Sequence, residues 1–236
     1  MDAGRRALNG YGRLVARHSR HGDQPFFEPQ TFPWVAELEA AYPDIRAELM
    51  PLLAERERIP CFQEVSKDQA HLTRDDRWKT YFLYAYGHKA HDNCARCPAT
   101  TRAIERIPGM ATAFFSILCG PKHIPAHRGP FNGVLRCHLA VKIPSPASSC
   151  GIRVHDSVTN WEEGRCLVFD DTYEHEAWNL TGDVRVVLFL DVLRPLPPPL
   201  SWVNRSLVWA IGRTPFVQEG IRNFERYTAA NHSGDG

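Results

Sequence analysis

Residues 165–192 read RCLVFDDTYEHEAWNLTGDVRVVLFLDV and set the pattern for much of the chain. Three short runs rich in apolar and β-branched residues, at 165–169, 175–179 and 184–192, are separated by polar, turn-forming segments. Side chains of this kind fit the pleated surface of a sheet. The stretch therefore predicts three strands joined by short connections.

The same pattern extends toward the N-terminus. Runs at 111–118, 134–143 and 151–155 are again apolar, with Gly- and Pro-containing segments between them, and Trp78 to Tyr86 is an aromatic, strand-forming run. Many short strands with turn residues between them predict a β-sandwich or jelly roll, whereas strands alternating with long helices would predict a parallel sheet.

The segments outside this β-rich region are predicted to be helical. Within 25–57, Pro33 suits the first turn of one helical segment and Pro43 starts a second. Residues 98–106 are predicted to form a further short helix. After the stiff connector 195–199, apolar residues recur at helical spacing. We expect one domain over 1–236, with N-terminal helices and the first strand at 25–110, a jelly-roll core at 111–195 and a C-terminal helical extension at 200–228.

Charge and composition limit the partners and the compartment. The 236 residues carry a net charge of +1, which lacks the basic excess of a typical nucleic-acid-binding protein, so we expect no nucleic-acid partner. No run of 18 apolar residues predicts a transmembrane helix. The seven cysteines show no disulfide spacing, which favours a reducing compartment. We expect a cytoplasmic protein.

Two histidines on the β framework are candidate metal ligands. His127 lies in a predicted loop and His175 begins a predicted strand. A two-histidine, one-carboxylate iron site normally has an acid two residues after the first histidine, but this position is Gly129. Either the position is left to water or chloride, or a nearby acid supplies an oxygen. We expect Asp170 and Asp171 to lie behind the ligands rather than on the metal.

Four further side chains are candidates for binding a small anionic co-substrate: Ser116, Arg136, His138 and Arg185. Arg136 and His138 are two residues apart on a predicted strand and therefore project to one face. Arg185 lies in an otherwise apolar strand, where an unpaired charge is costly, and its planar guanidinium suits a carboxylate. Structural pairing of Arg185 with Asp171 or Asp191 is the alternative.

Together these motifs resemble the aspartyl/asparaginyl β-hydroxylases, a family of iron(II)- and 2-oxoglutarate-dependent oxygenases with a double-stranded β-helix, or cupin-like, fold. The resemblance extends over residues 78–195. The motifs that carry it are PAHRGPFN at 125–132, LRCHL at 135–139, WEEG at 161–164, FDD at 169–171, EHEAW at 174–178 and the closing strand with Arg185 and Asp191.

The resemblance implies a role for each candidate residue. His127 and His175 would bind iron(II) without a carboxylate, so that Gly129 belongs to the family pattern. The residues implied to hold 2-oxoglutarate are Arg185 and Ser116 at the distal carboxylate, and Arg136 and His138 at the end nearer the metal. Phe114 replaces a lysine of some family members. The segment from Leu200 to Tyr227 looks more like bacterial lipid A acyl-chain hydroxylases of the same superfamily.

We therefore expect an enzyme, a dioxygenase that uses iron(II), 2-oxoglutarate and O₂ to hydroxylate an unactivated C–H bond. The expected substrate is the β-carbon of an Asp or Asn residue or a related small acid. The alternatives are a lipid A acyl-chain hydroxylase, a non-heme iron halogenase and a non-catalytic jelly-roll binding protein. Residues 200–228 are expected to pack on the barrel, to form a dimer contact or to touch a membrane surface peripherally.

Overall fold

The structure is a computed structural model that describes residues 10–12 and 14–232, and within it two antiparallel sheets face each other. The large sheet has seven strands in the order β1-β9-β6-β11-β4-β2-β3, and the small sheet has four in the order β5-β10-β7-β8. The strands are β1 Phe26–Phe27, β2 Trp78–Ala85, β3 His88–Lys89, β4 Met110–Cys119, β5 Lys122–His127, β6 Val134–Lys142, β7 Cys150–Val154, β8 Ser157–Asn160, β9 Cys166–Phe169, β10 His175–Asn179 and β11 Val184–Leu193.

This architecture confirms the predicted fold class, a mainly β double-stranded β-helix with flanking helices. The connection between the sheets is local, because β4 of the large sheet is followed directly by β5 of the small sheet, and β10 of the small sheet by β11 of the large one. Strand order of this kind brings residues 116–192 together around one interior.

The sequence places His127 in a loop, and this prediction is wrong. His127 is the last residue of β5, an edge strand that pairs with β10. Pro125 weakens the strand pattern in the sequence because proline has no N–H group to donate. At the edge of a sheet such a residue is tolerated.

Helices lie before and after the barrel strands. They are α1 Pro33–Ala40, α2 Tyr42–Ala54, α3 Phe62–Val65, α4 His91–Arg96, α5 Pro98–Glu105, α6 Leu200–Gly212 and α7 Pro215–His232. The two helical segments predicted within 25–57, beginning near Pro33 and Pro43, are confirmed. Residues before Pro33 are not helical as predicted, since Phe26 and Phe27 pair with β9 as a short strand. The predicted C-terminal helix is interrupted just before Pro215, whose ring suits a first helical turn.

Side-chain alternation along β11 explains where the core and the site lie. Val186, Leu188 and Leu190 are buried in the cluster that α1, α2 and α5 form against one face of the large sheet. Arg185 and Phe189 project to the other face, toward the small sheet, where they line a cavity. Successive side chains of β11 point to opposite faces of the sheet. The strand thus separates the apolar side, which the helices cover, from the polar interior.

The C-terminal helices cover one end of this interior. Val217, Ile221 and Phe224 of α7 pack in a cluster with Val65 of α3 and Ala85 of β2. Among the described residues, no helix is both long and apolar enough to cross a bilayer.

Candidate active site

The two candidate metal ligands face each other across a strand pair. In the register of β5 with β10, His175 lies directly opposite His127, and their ring centroids are 4.1 Å apart. Nδ1 of His127 is 2.8 Å from the carbonyl oxygen of Pro125, and Nδ1 of His175 is 3.0 Å from that of Tyr173. A carbonyl oxygen can only accept, so each Nδ1 carries the hydrogen and each Nε2 keeps its lone pair.

The surroundings keep both imidazoles neutral. Burial lowers the pKa of His127, and burial together with the neighbouring His127 lowers the pKa of His175 to about 3. Neutral imidazoles with fixed tautomers are the form that binds transition metals. Within the described part of the chain, no group of three or more His, Cys, Asp or Glu side chains could hold a metal ion. The two imidazoles fit a metal ion because their rings face each other and the Nδ1–carbonyl contacts leave each Nε2 lone pair available.

The position of the missing carboxylate is already occupied. A Cβ atom added to Gly129 would lie 2.0 Å from Oδ2 of Asp171, and the amide of Gly129 donates to the backbone oxygen of Asp171 at 2.7 Å. Asp171 is buried, and burial raises the pKa of its carboxyl to about 7. Glycine at 129 thus leaves room for the Asp171 side chain.

Asp170, the neighbouring acid, has a different environment. Its carboxylate is buried and forms an ion pair with Nη2 of Arg194, which also donates from Nε to the backbone oxygen of Asn132 at 2.7 Å. These contacts fix the end of β9 to the segment before β6. Asp170 is a structural residue in this arrangement.

Arg185 is buried, and no carboxylate in the described part of the chain forms an ion pair with it. Among the described residues, no hydrogen-bond partner reaches its Nε or Nη1. Its guanidinium carbon lies 4.6 Å from the centroid of the Trp161 ring. Burial lowers the pKa of Arg185 to about 10, because the charged form loses its hydration there. An unpaired buried guanidinium is the strongest indication of an anionic ligand in this cavity.

Among the described residues, Asp171 and Asp191 form ion pairs with Arg136 and not with Arg185. Nη2 of Arg136 lies 2.9 Å from Oδ2 of Asp171, and its Nε donates to Oδ1 of Asp191 at 3.0 Å. The guanidinium also stacks on Phe189, 4.2 Å from the ring centroid. Arg136 therefore enters the cavity with its charge largely balanced, and its role at the metal-proximal end of a co-substrate stays a prediction.

Two neutral groups complete the polar part of the site. Both ring nitrogens of the buried His138 lack a partner in the described structure, and burial, aided by Arg185, holds its pKa well below the ordinary value. Oγ of Ser116 accepts a hydrogen bond from Nε1 of Trp78 at 3.1 Å, which leaves the hydroxyl hydrogen free to donate. Donors and acceptors without partners at one place favour a polar ligand.

The six candidate site residues line one cavity of about 220 Å³. The structure brings together every candidate that the sequence singled out: Ser116, His127, Arg136, His138, His175 and Arg185. The cavity also has an apolar arm that the sequence did not reveal, with walls from Phe62, Val65, Leu72, Val217, Ile221 and Phe224. These wall residues come from segments far from the histidines in the chain. Helical periodicity was the only sequence signal for those at 217–224, and 62–72 reads as polar and irregular.

Comparisons with known proteins identify the relatives of this chain. The model of the aspartyl/asparaginyl beta-hydroxylase family matches residues 39–195. An ornithine lipid ester-linked acyl 2-hydroxylase from Rhizobium tropici is 46% identical over 214 residues, which are 91% of this chain and 76% of that protein. The human aspartyl/asparaginyl beta-hydroxylase is 33% identical over 135 residues, which are 55% of this chain but only 17% of the human protein.

Solved structures overlap this chain only partly. A Cupin 2 conserved barrel domain protein from Salinispora arenicola covers 59% of this chain and 92% of its own, at 8% identity and a TM-score of 0.34. The fold assignment rests instead on the strand order described above. Family model and relatives together show that the chain belongs to the aspartyl/asparaginyl beta-hydroxylase family.

Proposed function

We propose that this protein is an iron(II)- and 2-oxoglutarate-dependent dioxygenase that hydroxylates an unactivated C–H bond. The observation that carries the proposal is Arg185, a buried cation without an anion in the cavity that also contains the paired histidines. A dianionic co-substrate would neutralise the guanidinium. A non-catalytic binding protein would need the arginine but not two imidazoles with fixed tautomers.

The metal and the co-substrate would be held by different residues. Nε2 of His127 and of His175 would hold the metal. Arg185 and the Ser116 hydroxyl would bind the distal carboxylate of 2-oxoglutarate, and His138 and Arg136 would contact its other end. When bound, iron with O₂ and 2-oxoglutarate would supply the oxidising chemistry, and 2-oxoglutarate would leave as succinate and carbon dioxide. The apolar walls exclude water, which strengthens every charge interaction inside.

For the substrate, we favour a lipid acyl chain. The apolar arm offers few polar groups to a peptide, whereas it suits methylene groups. The Rhizobium tropici relative, which matches nearly the whole chain, is named for hydroxylation of an ester-linked acyl chain. A lipid substrate also requires contact with a membrane surface, which is one of the three alternatives expected for residues 200–228.

An Asp or Asn side chain is the second candidate. It is favoured by Arg128, an exposed cation at the cavity that could hold a substrate carboxylate, and by the match to the family model.

The deciding experiment measures succinate formation and product mass with iron(II), 2-oxoglutarate and three substrate sets: ester-linked acyl lipids, Asp- or Asn-containing peptides, and free amino acids. We expect a product heavier by one oxygen atom only with the lipids. A hydroxylated peptide would select the second candidate. A chlorinated product in chloride buffer would identify a halogenase, and absence of iron binding in an anaerobic titration would reject the enzyme altogether.

A further inference from the structure

We propose that the outward side of α6, together with the start of α7, docks on an anionic lipid bilayer and holds the mouth of the cavity against it. This docking face consists of Trp202, Val203, Arg205, Trp209, Arg213 and Phe216. The inference rests on the proposed acyl-chain substrate, because a soluble peptide substrate would give such a face no purpose. It goes beyond the substrate by naming the surface that reaches the lipid.

The apolar side chains of the docking face are too exposed to contribute to the core of the protein. The exposed fractions are 67% for Trp202, 57% for Trp209, 44% for Val203 and 42% for Phe216. Helix α6 is held to the protein by its opposite side, where Asn204, Val208 and Gly212 are buried. Trp202 and Trp209 are seven residues apart and therefore share the outward side. A cluster of large exposed apolar side chains indicates an interaction surface.

The charge of this segment indicates an anionic partner. Residues 200–218 contain Arg205 and Arg213 and no acidic residue. The guanidinium carbon of Arg213 lies 3.4 Å from the centroid of the Trp209 ring. Tryptophan and arginine together suit the headgroup region, because the ring occupies the boundary with the acyl chains while the guanidinium meets phosphate.

The docking face is continuous with the active site through Phe216. This residue is exposed on the surface and also lines the cavity, and Val217 and Ile221 continue the apolar wall inward. Phe216 therefore connects the apolar docking face with the apolar lining of the cavity.

The size of the cavity also indicates that most of a lipid substrate remains in the bilayer. Its volume of about 220 Å³ is below the roughly 300–1,000 Å³ of sites that enclose a drug-sized ligand. A lipid with two acyl chains cannot be enclosed there together with a co-substrate. Most of the lipid has to remain outside the protein, and an apolar surface beside the mouth lets it remain in the bilayer.

The test is cosedimentation of the full-length protein with vesicles of phosphatidylcholine alone or with added phosphatidylglycerol. We expect binding to the anionic vesicles and a blue shift of tryptophan fluorescence. Trp202→Ser/Trp209→Ser should weaken this binding at least about tenfold, because two large apolar side chains no longer enter the interface. The blue shift should disappear. The matched control is Val158→Ser/Leu180→Ser, which removes two equally exposed apolar side chains, 61% and 64%, outside the docking face and should bind normally.

A second pair of variants tests the role of positive charge in the docking face. Arg205→Glu/Arg213→Glu should abolish the preference for anionic vesicles, whereas Arg102→Glu/Arg106→Glu, two exposed arginines at the end of α5, should retain it. Added salt should weaken wild-type binding through screening. Unchanged binding of both docking-face variants would overturn the proposal.

Two further outcomes separate this inference from the proposed function. Hydroxylation of detergent-dispersed lipid by a protein that ignores vesicles would reject the docking face and leave the acyl-chain substrate. Vesicle binding through the docking face, without hydroxylation of any acyl lipid, would support the face and reject that substrate. A dimer in light scattering that Trp202→Ser/Trp209→Ser converts to a monomer, with vesicle binding unchanged, would make the face a contact between two copies and overturn docking.

Discussion

The carboxylate of Asp171 fills the space that a side chain at Gly129 would need, with Oδ2 2.0 Å from the position of an added Cβ. The sequence presents Gly129 as a missing ligand that leaves a coordination position open. In the structure, the absence of a side chain at Gly129 also lets the buried carboxylate of Asp171 pair with Arg136. A side chain at 129 therefore competes with Asp171 before it can meet a metal.

This contact predicts that Gly129→Ala destabilises the protein by about 1–3 kcal/mol through overpacking. Asp171→Ala removes the obstructing carboxylate, so its cost should be smaller in the Gly129→Ala background. We expect a coupling of about 0.5–3 kcal/mol in a double-mutant cycle measured by denaturant unfolding. Gly182→Ala is the control, since an added Cβ there meets nothing within 4 Å. Additive costs at 129 and 171 would contradict the contact.

The paired histidines predict that His127→Ala and His175→Ala each abolish metal binding. With two protein ligands, loss of one leaves a single imidazole, which cannot retain the metal against water. Anaerobic titration with iron(II) or cobalt(II) measures binding, and succinate formation measures turnover. Circular dichroism should show an intact fold in both variants.

His123→Ala is the matched control for the histidines. His123 lies on the same strand, but it is exposed and contacts Glu176 at 2.8 Å instead of the cavity. Its variant should bind metal and turn over 2-oxoglutarate like the wild type. Metal-dependent turnover that survives in either cavity variant would reject the metal site.

We expect the substitution Arg185→Leu to raise the stability of the protein and to lower its affinity for the co-substrate. Arg185→Leu removes a buried charge without an anion, so the ligand-free protein should become more stable, by about 1–4 kcal/mol. The apparent affinity for 2-oxoglutarate should fall by about one to three orders of magnitude, because its carboxylate loses a desolvated partner. Thermal unfolding with and without 2-oxoglutarate measures both effects.

Arg194→Leu supplies the comparison, since this buried arginine is paired with Asp170. The substitution leaves a carboxylate buried without its partner and should destabilise the protein by about 3–5 kcal/mol. If both leucine variants lost stability alike, Arg185 would have a structural partner and the anion site would be wrong.

The sequence predicts the fold class because it depends on local pattern, and it singles out the two histidines that the structure places opposite each other. Alternating runs identify β11 and β6, and alternation alone places Arg185 on the face opposite Val186. Ion pairing is different, since nothing in the sequence shows that Arg136 takes both Asp171 and Asp191 and leaves Arg185 alone. That choice depends on which side chains meet in three dimensions.

The apolar arm of the cavity shows a second limit of the sequence. One wall comes from 62–72, which the sequence presents as polar and irregular, and the other from 216–224, more than forty residues beyond His175. Helical periodicity predicts that α7 has an apolar side but not what that side contacts. In the structure Val217 and Ile221 face the interior, where the substrate is proposed to bind.

Gly220, on the same stretch of α7, allows this arm to be tested. The residue lines the cavity, and a Cβ added there meets only the backbone oxygen of Val65, at an ordinary 3.4 Å. Gly220→Ala should therefore fold and retain most activity. Gly220→Leu adds a branched side chain that occupies the arm, so it should lower the rate of acyl-chain hydroxylation and raise the apparent KM for long chains more than for short ones. Binding of metal and of 2-oxoglutarate should stay unchanged, because the histidines and Arg185 lie at the polar end. Equal loss with every chain length would mean that the acyl chain does not enter between α3 and α7.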